Sequence, residues 1–156
     1  SDQNPAGIFV NDKFVGSQEV LNFINQDKIE TINIEKENFE MNGTEYYGKI
    51  YIKMKSDYNP KFLTLKKLSE KYLELNENPI IYQIDEKVVE KSSNEILVDE
   101  NFILKIVVEK INTSENNTEI NLIRLITKTT ENIKKANEIR IKGIENIKPV
   151  ANNGYN

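Results

Sequence analysis

The sequence lacks cysteine, histidine and tryptophan altogether in its 156 residues. Without cysteine there is no disulfide and no thiol nucleophile. Without cysteine and histidine, the usual sulfur and nitrogen ligands of zinc are missing. A Ser–His–Asp triad is excluded for the same reason. Acid–base chemistry would therefore fall to carboxylates, lysines or tyrosines, and the sequence predicts no metal site and no cofactor.

The chain is also poor in glycine and in long apolar runs. Its six glycines form no phosphate-binding loop of the Walker or dinucleotide type. No apolar run approaches the roughly 20 residues of a transmembrane helix, so we expect no integral membrane segment. The net charge of −4 argues against nucleic acid as a partner. Basic residues near the C-terminus alternate with glutamates, as on a solvated surface: Lys134, Lys135, Arg140, Lys142 and Lys148.

Apolar and polar residues alternate in patterns that predict a mixed α and β chain. Asn11-Asp12 lies between two short apolar runs, which is typical of a tight hairpin. The first half is predicted to contain, in order, this hairpin over 8–15, a helix from Ser17, a half-buried strand over 29–36 with Ile32 and Ile34 on one face, a loop over 38–48 with an Asn42-Gly43 turn, and a strand over 49–55.

A helix joins this half to the second. Leu65, Leu68, Tyr72 and Leu75 form one apolar stripe at helical spacing, and Thr64 can cap the helix N-terminus. The second half is predicted to contain a hairpin over 80–89, a strand over 102–111, a polar turn over 113–118, a central strand over 119–127, a short helix from Thr130 through Ala136 and a last strand over 139–141.

The two halves align at an offset of 74 residues, which takes Asn11 to Asp85 and Ile32 to Ile106. Chance similarity between alternating strands is one interpretation, and a duplicated hairpin–helix–strand–strand unit is the other. We expect an α+β protein with two related small β-sheet units joined by a helix. The predicted organisation is a first unit over 1–60, a connecting helix over 61–78, a second, diverged unit over 79–142 and a flexible tail over 143–156.

Three sequence blocks carry a resemblance to a known family. They are Phe9-Val10-Asn11-Asp12-Lys13, the segment Asp27 through Lys36, and the segment Tyr47 through Lys55, which begins Tyr-Gly. In this order and spacing, residues 7–55 resemble the plug domain of TonB-dependent outer-membrane receptors, and residues 79–128 match more weakly. The resemblance implies a plug-like fold and an exported protein of the cell envelope, in the periplasm, at the outer membrane or secreted.

The chain also departs from the plug pattern. The turn glycine is replaced by Lys13, and Glu37-Asn38-Phe39-Glu40 stands where the family has small residues. No segment long enough for the receptor barrel follows residue 55 in this sequence, so the resemblance implies no substrate import. Plug-like modules have no known catalytic centre, and no functional residue is carried over from them.

Carboxylates offer the chain's main route to catalysis. Glu35 with Glu37, or Asp99 with Glu100, would supply the paired carboxylates of a hydrolase, provided that the fold brings them to working distance. Solvated charges at strand ends and in loops are the alternative interpretation. Asp57-Tyr58-Asn59 begins like a calcium-binding loop, but Pro60 follows and position 68 is leucine, so the EF-hand pattern fails.

Aromatic residues suggest a binding surface. Tyr51 is predicted to face away from Ile50 and Ile52, and with Phe39, Tyr46 and Tyr47 it forms the candidate partner-binding site. The alternative is that the helix over 65–75 covers this face. A small open sheet also leaves strand edges that a partner strand can pair with.

These observations favour a non-enzymatic, exported binding or protein-interaction module of a bacterial cell envelope, with a protein as its partner. The alternatives are a carboxylate-based hydrolase and a structural spacer in a larger envelope assembly. A deep pocket that holds two carboxylates would favour the hydrolase, whereas an open strand edge or an apolar patch would favour the binding module.

Overall fold

The structure, a computed structural model, describes residues 5–115, 117–142 and 147–149. The first half forms a four-stranded sheet from β1 (Gly7–Val10), β2 (Lys13–Gly16), β3 (Ile29–Met41) and β4 (Thr44–Met54), with 3-10 helices over Gln18–Phe23 and Gln26–Lys28. Its strand order is β2-β1-β4-β3. β1 runs parallel to β4, and the other neighbours are antiparallel.

The second half forms a five-stranded sheet. The elements of this half are, in chain order, β5 (Phe62–Thr64), α1 (Leu65–Tyr72), β6 (Ile80–Ile84), β7 (Lys87–Val88), β8 (Leu97–Asp99), a 3-10 helix over Glu100–Phe102, β9 (Ile103–Thr113), β10 (Thr118–Thr127), α2 (Thr130–Lys142) and β11 (Ile147–Pro149). The strand order is β11-β9-β10-β6-β7, and β5 pairs separately with β8. These mixed sheets with few helices confirm the predicted α+β class.

The two sheets arrange their hairpins in the same way. In each, the first strand of one hairpin lies parallel to the second strand of the other, β1 beside β4 and β6 beside β10. Asn11 Oδ1 accepts the Met54 N–H at 2.9 Å, and Asp85 Oδ1 accepts the Thr127 N–H at 2.9 Å. Each turn side chain therefore binds the end of the strand that lies beside its own hairpin.

Positive φ angles explain why polar residues occupy these turns. Asn11 and Asp12 have φ angles of 48° and 68°, and Asp85 has 48°. Asparagine and aspartate tolerate this left-handed region better than other residues with a side chain. The Asn11-Asp12 hairpin predicted from the sequence is present.

One hydrophobic core lies between the elements of both halves. Ile8 and Ile52 of the first sheet belong to the same buried cluster as Ile106 and Leu125 of the second, together with Leu65 of α1. The inner faces of both sheets therefore share one core, to which the apolar side of α1 contributes.

The strand predicted over 29–36 is present as part of β3, but the prediction that it is half-buried is wrong. Ile32 is 54% exposed and Ile34 is 69% exposed, although both lie beside inward-facing residues of β4. β3 is an edge strand, and the core cluster does not extend to these two side chains. Alternation therefore identified residues on one side of a strand, but that side is not covered.

The segment over 38–48 is a hairpin and not a loop. β3 continues to Met41 and β4 begins at Thr44. Asn42 and Gly43 have φ angles of 53° and 81° and form the turn, as predicted. This segment extends past the core, so its strands need no buried apolar residues. Its polar sequence therefore did not show the alternation by which strands are predicted.

Three helix predictions need correction. The helix from Ser17 is a 3-10 helix, α1 ends at Tyr72 rather than Leu75, and α2 extends to Lys142. α2 therefore includes 139–141, where a strand was predicted. The sequence has no glycine or proline between Thr130 and Gly143 that would end the helix earlier. Ile147–Pro149 of the predicted tail forms β11, and 143–146 and 150–156 lie outside the described residues.

The hydrogen bonds of Asp85 predict a difference between the two turns. Asp85 accepts hydrogen bonds from the Thr127 N–H, the Thr127 hydroxyl and the Asn132 side-chain amide, whereas Asn11 Oδ1 accepts one from Met54. Both turn residues have positive φ, so the strain that alanine introduces is similar. At about 1 kcal/mol per hydrogen bond, Asp85→Ala lowers the free energy of unfolding by about 2 kcal/mol more than Asn11→Ala. Urea unfolding followed by circular dichroism measures both losses, and equal losses would contradict this account.

Candidate functional site

Five aromatic rings pack together on the outer face of the first sheet, opposite the core. Phe39 stacks on Tyr46 at a centroid distance of 5.1 Å, and Phe9 stacks on Tyr51 at 5.1 Å. Phe14 makes edge contacts with Phe9 and Tyr46 at 5.5 and 5.3 Å. Three of the four predicted site residues, Phe39, Tyr46 and Tyr51, therefore meet in one aromatic cluster.

Tyr47 is separate from this aromatic cluster. It is 43% exposed, whereas Tyr46 is 8% exposed, and it makes none of the ring contacts of its neighbour. The alternation of β4 slips beside Gly48, where the register with β3 shifts and φ is 147°. This irregularity allows Tyr46 and Tyr51, five positions apart, to lie on the same face of the sheet.

The aromatic cluster also holds a cation and fits closely around β1. The Lys49 Nζ lies 5.0 Å from the Phe39 ring centroid and 3.8 Å from a carboxylate oxygen of Glu37. A side chain at Gly7 would meet the Phe39 ring, since a Cβ there would lie 2.3 Å from Phe39 Cζ. The rings therefore cover much of one another, and less aromatic surface is accessible than the sequence predicted.

The helix that was the alternative cover for this face packs elsewhere. Leu65 and Leu68 of α1 are fully buried in the core cluster with Ile52 and Met54. Those two residues lie on the side of β4 opposite Tyr51, because side chains alternate along a strand. The outer face of the first sheet is therefore not covered by α1.

β3 forms an open strand edge beside this face. Every residue from Glu30 to Asn38 is exposed, and β4 is the single neighbour of β3 among the strands of the described residues. Ile32 and Ile34 project from the side of β3 nearest the core and remain more than half exposed. This edge combines free main-chain groups with apolar side chains, which is the chemistry that strand pairing uses.

The hydrogen bonds of β4 show which groups of β3 face outward. The Ile52 C=O accepts the Asn11 N–H at 2.9 Å, so the backbone groups of Ile52 face the β1 side of β4. Those of Tyr51 and Lys53 then face β3, and they are paired with Asn33 and Thr31. The N–H and C=O groups of Ile32 and Ile34 consequently point away from the sheet.

The corresponding edge of the second sheet is occupied. β11 pairs antiparallel with β9, with Lys148 opposite Ile106 and Ile147 opposite Val107. At the offset of 74 residues, Ile106 corresponds to Ile32, yet Ile106 is 1% exposed. The strand that covers β9 has no counterpart along β3 in the described residues.

The Asp99–Glu100 carboxylate pair is held by hydrogen bonds. Asp99 accepts a 2.5 Å hydrogen bond from the Tyr58 hydroxyl and further bonds from two backbone N–H groups. Burial raises the pKa of Asp99 above its ordinary value, and these hydrogen bonds offset only part of that effect. Burial, followed by the bond to Asp99, raises the pKa of Tyr58. This tyrosine is thus a partner of Asp99 and joins the 57–59 loop to β8.

Glu100 interacts with two lysines and a tyrosine hydroxyl. Lys71 and the Tyr72 hydroxyl each donate a 2.6 Å hydrogen bond to Glu100 Oε2, and Lys61 lies 3.2 Å from Oε1. Burial raises the pKa of this carboxyl, but hydrogen bonds from Lys71, Tyr72 and Lys61 outweigh burial and lower it to about 2. Asp99 and Glu100 thus join β8 to the segment around α1.

The other residues singled out in the sequence include Glu35 and Glu37 on β3 and Lys135 on α2. Glu37 lies near Lys49, and Lys135 of α2 pairs with Glu131 at 3.1 Å. Over the described ranges, no three carboxylates come close enough to hold a metal ion. Glu35 lines a groove of about 670 Å3 on the outer face, beside Asn33 and Tyr51. This groove runs along β3 and adjoins the open edge.

Comparison with known proteins gives no relative. No family model matches the chain, and no curated protein or solved structure matches it. Neither helix in the described part of the chain is long and apolar enough to cross a membrane.

Sequence reasoning missed both Phe9 and Phe14 of the aromatic cluster and the exposure of Ile32 and Ile34. The parallel pairing of β1 with β4 brings Phe9 beside Tyr51, and no local pattern indicates such a long-range contact. Position within the sheet determines the exposure of the isoleucines. The charged residues that flank 32–34, Asp27, Lys28 and Glu30 before it and Glu35, Lys36 and Glu37 after it, were the available signal for an edge strand.

The lowered pKa of Glu100 predicts a pH dependence of stability. Because the folded-state pKa of about 2 lies below the ordinary value of 4.5, the ionised carboxylate stabilises the fold fully above about pH 4.5 and loses this effect as the pH falls toward 2. Its contribution at neutral pH is about 3 kcal/mol. Glu100→Gln removes this contribution, so the difference in unfolding free energy from the unmodified protein shrinks as the pH falls from about 6 toward 2.

Urea unfolding at a series of pH values measures that difference. The raised pKa of Asp99 acts in the opposite direction, since its stabilising effect is present at low pH and is lost as the pH rises. Asp99 is present in both proteins and largely cancels in the comparison. A difference that stays constant with pH would contradict the assigned role of Glu100.

Proposed function

We propose that the chain is a non-enzymatic protein-interaction module of a bacterial cell envelope, and that it binds an extended partner strand along the open edge of β3. The observation that carries this proposal is the coincidence of outward-facing backbone groups with two exposed apolar side chains, Ile32 and Ile34. In strand addition, main-chain hydrogen bonds provide affinity and alternate side chains provide specificity.

Burial of Ile32 and Ile34 supplies the driving force. Each loses apolar surface when a partner strand is added, and complete burial of such a side chain is worth about 1.5–3 kcal/mol. The backbone groups of β3 would exchange water for the partner, at a smaller net gain per hydrogen bond. The edge therefore favours a partner strand with apolar residues opposite Ile32 and Ile34.

The plug-like resemblance supports the location proposed for the protein. The three blocks that carry it lie on the β1–β2 hairpin, on the first part of β3 with the two residues before it, and on β4, so they are neighbours in one sheet. We infer from this resemblance an exported protein of the envelope. The cysteine-free composition is compatible with export without disulfides.

The finer architecture is part of the same proposal: the two sheets are copies of one duplicated unit. Matching contacts at nearly constant offset support this. The Asn11 N–H donates to the Ile52 C=O and the Asp85 N–H donates to the Leu125 C=O. The Tyr47 N–H donates to Pro5 in the same way that the Asn121 N–H donates to Pro79. Chance similarity between two alternating strands does not account for four corresponding long-range hydrogen bonds.

Binding is favoured over the two alternative functions. A carboxylate-based hydrolase needs a carboxylate with room for substrate, whereas Asp99 and Glu100 are surrounded by their hydrogen-bond donors. A structural spacer would not need the exposed pair Ile32 and Ile34. The aromatic cluster of Phe39, Tyr46 and Tyr51 is a second candidate surface, but its rings largely cover one another.

Capture from bacterial envelope extract tests the proposed function. The purified chain serves as bait beside Ile32→Lys/Ile34→Lys, which places two charges on the open edge and blocks strand pairing. The matched control is Ile81→Lys/Val88→Lys, which changes two exposed apolar residues of the other sheet. We expect the captured protein to be retained by the control and lost with the β3 variant.

Circular dichroism and thermal unfolding verify that both variants are folded. A partner captured equally by all three baits would exclude the β3 edge as the binding surface. If no bait captured any protein, an untagged copy of the chain included, the proposed strand pairing would be contradicted and the structural spacer would be favoured.

A further inference from the structure

We propose that the partner strand of β3 is β3 of a second copy of this chain, paired antiparallel about a two-fold axis at Asn33. The inference rests on the proposed function, because it names the occupant of the same edge. The four-stranded sheet of one copy would join that of the other copy, and the two would form one continuous sheet across the dimer. Such a contact is isologous, since the same edge serves both copies.

The direction of the backbone groups permits this register. Residues 32 and 34 present their N–H and C=O groups outward, and residue 33 presents its groups to β4. With Asn33 on the axis, Ile32 of each copy forms a hydrogen-bonded pair with Ile34 of the other. Each exposed isoleucine thereby gains an apolar neighbour, twice per dimer.

Charge complementarity favours the same register. Thr31 lies opposite Glu35, Asn33 opposite its own copy, and Lys36 at the level of the oppositely charged Glu30. Moving the axis to residue 35 would place Glu35 opposite Glu35, and moving it to residue 36 would place Lys36 opposite Lys36. Like charges directly opposite destabilise a strand pair. The register centred on Asn33 avoids such pairs and places Ile32 opposite Ile34, whereas a register centred on Ile34 would place Ile32 opposite Lys36.

The second sheet shows that this edge geometry accepts an antiparallel strand. β11 lies along Lys105, Ile106 and Val107 of β9, the positions that correspond to residues 31–33 of β3. There the added strand comes from the same chain. Along β3 the described residues provide none, and the self-complementary sequence around Asn33 supplies the partner from another copy.

Single cysteines test the register directly, because the chain has none of its own. In the proposed dimer the two residues 33 form a non-hydrogen-bonded pair with Cα atoms about 4.5 Å apart, within the range of a disulfide. Asn33→Cys should therefore oxidise to a disulfide-linked species of twice the 18.1 kDa chain mass. Glu37→Cys is the matched control on the same face, since its two copies lie about 27 Å apart at 3.4 Å per residue.

Sedimentation of the unmodified chain over a concentration series accompanies the cross-linking. We expect reversible dimers, loss of dimers in Ile32→Lys/Ile34→Lys and disulfide formation by Asn33→Cys alone. Equal cross-linking of both cysteine variants would overturn the register. A monomer at all concentrations would overturn self-pairing. If, in that case, the Ile32→Lys/Ile34→Lys bait still loses a protein that the unmodified bait captures from envelope extract, the proposed function stands. If the unmodified bait captures nothing either, both proposals fail.

Discussion

The parallel contact between β1 and β4 determines the rest of the first sheet. It places the first strand of one hairpin against the second strand of the other, so that β1 and β4 occupy the centre and β2 and β3 become the edges. The bond from the Met54 N–H to Asn11 locks the end of this contact. β4 pairs with β1 on one side and with β3 on the other, which leaves β3 at the edge. The outward-facing groups of β3 therefore have no partner within their own sheet.

The two faces of this sheet have different roles. Ile8 and Ile52 contribute to the core that also includes residues of the second sheet and α1. On the other face, the aromatic cluster provides packing that α1 does not supply. Stacked and edge-to-face ring pairs contribute stability beyond the area that they bury. We interpret this cluster mainly as the cover of the outer face and β3 as the surface available to a partner.

Local chemistry made the hairpins predictable. Asn11-Asp12 and Asn42-Gly43 marked turns because these residue types tolerate positive φ. Alternation likewise identified the strands, but it shows only which side chains share a side. Whether Ile32 is buried, as the corresponding Ile106 is, depends on the layer packed against the strand. Sequence reasoning also could not show that Tyr46, rather than Tyr47, lies on the same face as Tyr51, since the irregularity beside Gly48 reverses the alternation.

Amide hydrogen exchange in β3, followed by NMR in dilute solution, tests the open edge most directly. The account predicts protected amides at Thr31 and Asn33, which face β4, and rapid exchange at Ile32 and Ile34, whose N–H groups point outward. Raising the protein concentration should then protect Ile32 and Ile34 as strands pair. Equal protection of all four amides in the dilute monomer would contradict the claim that this edge is free to bind a strand.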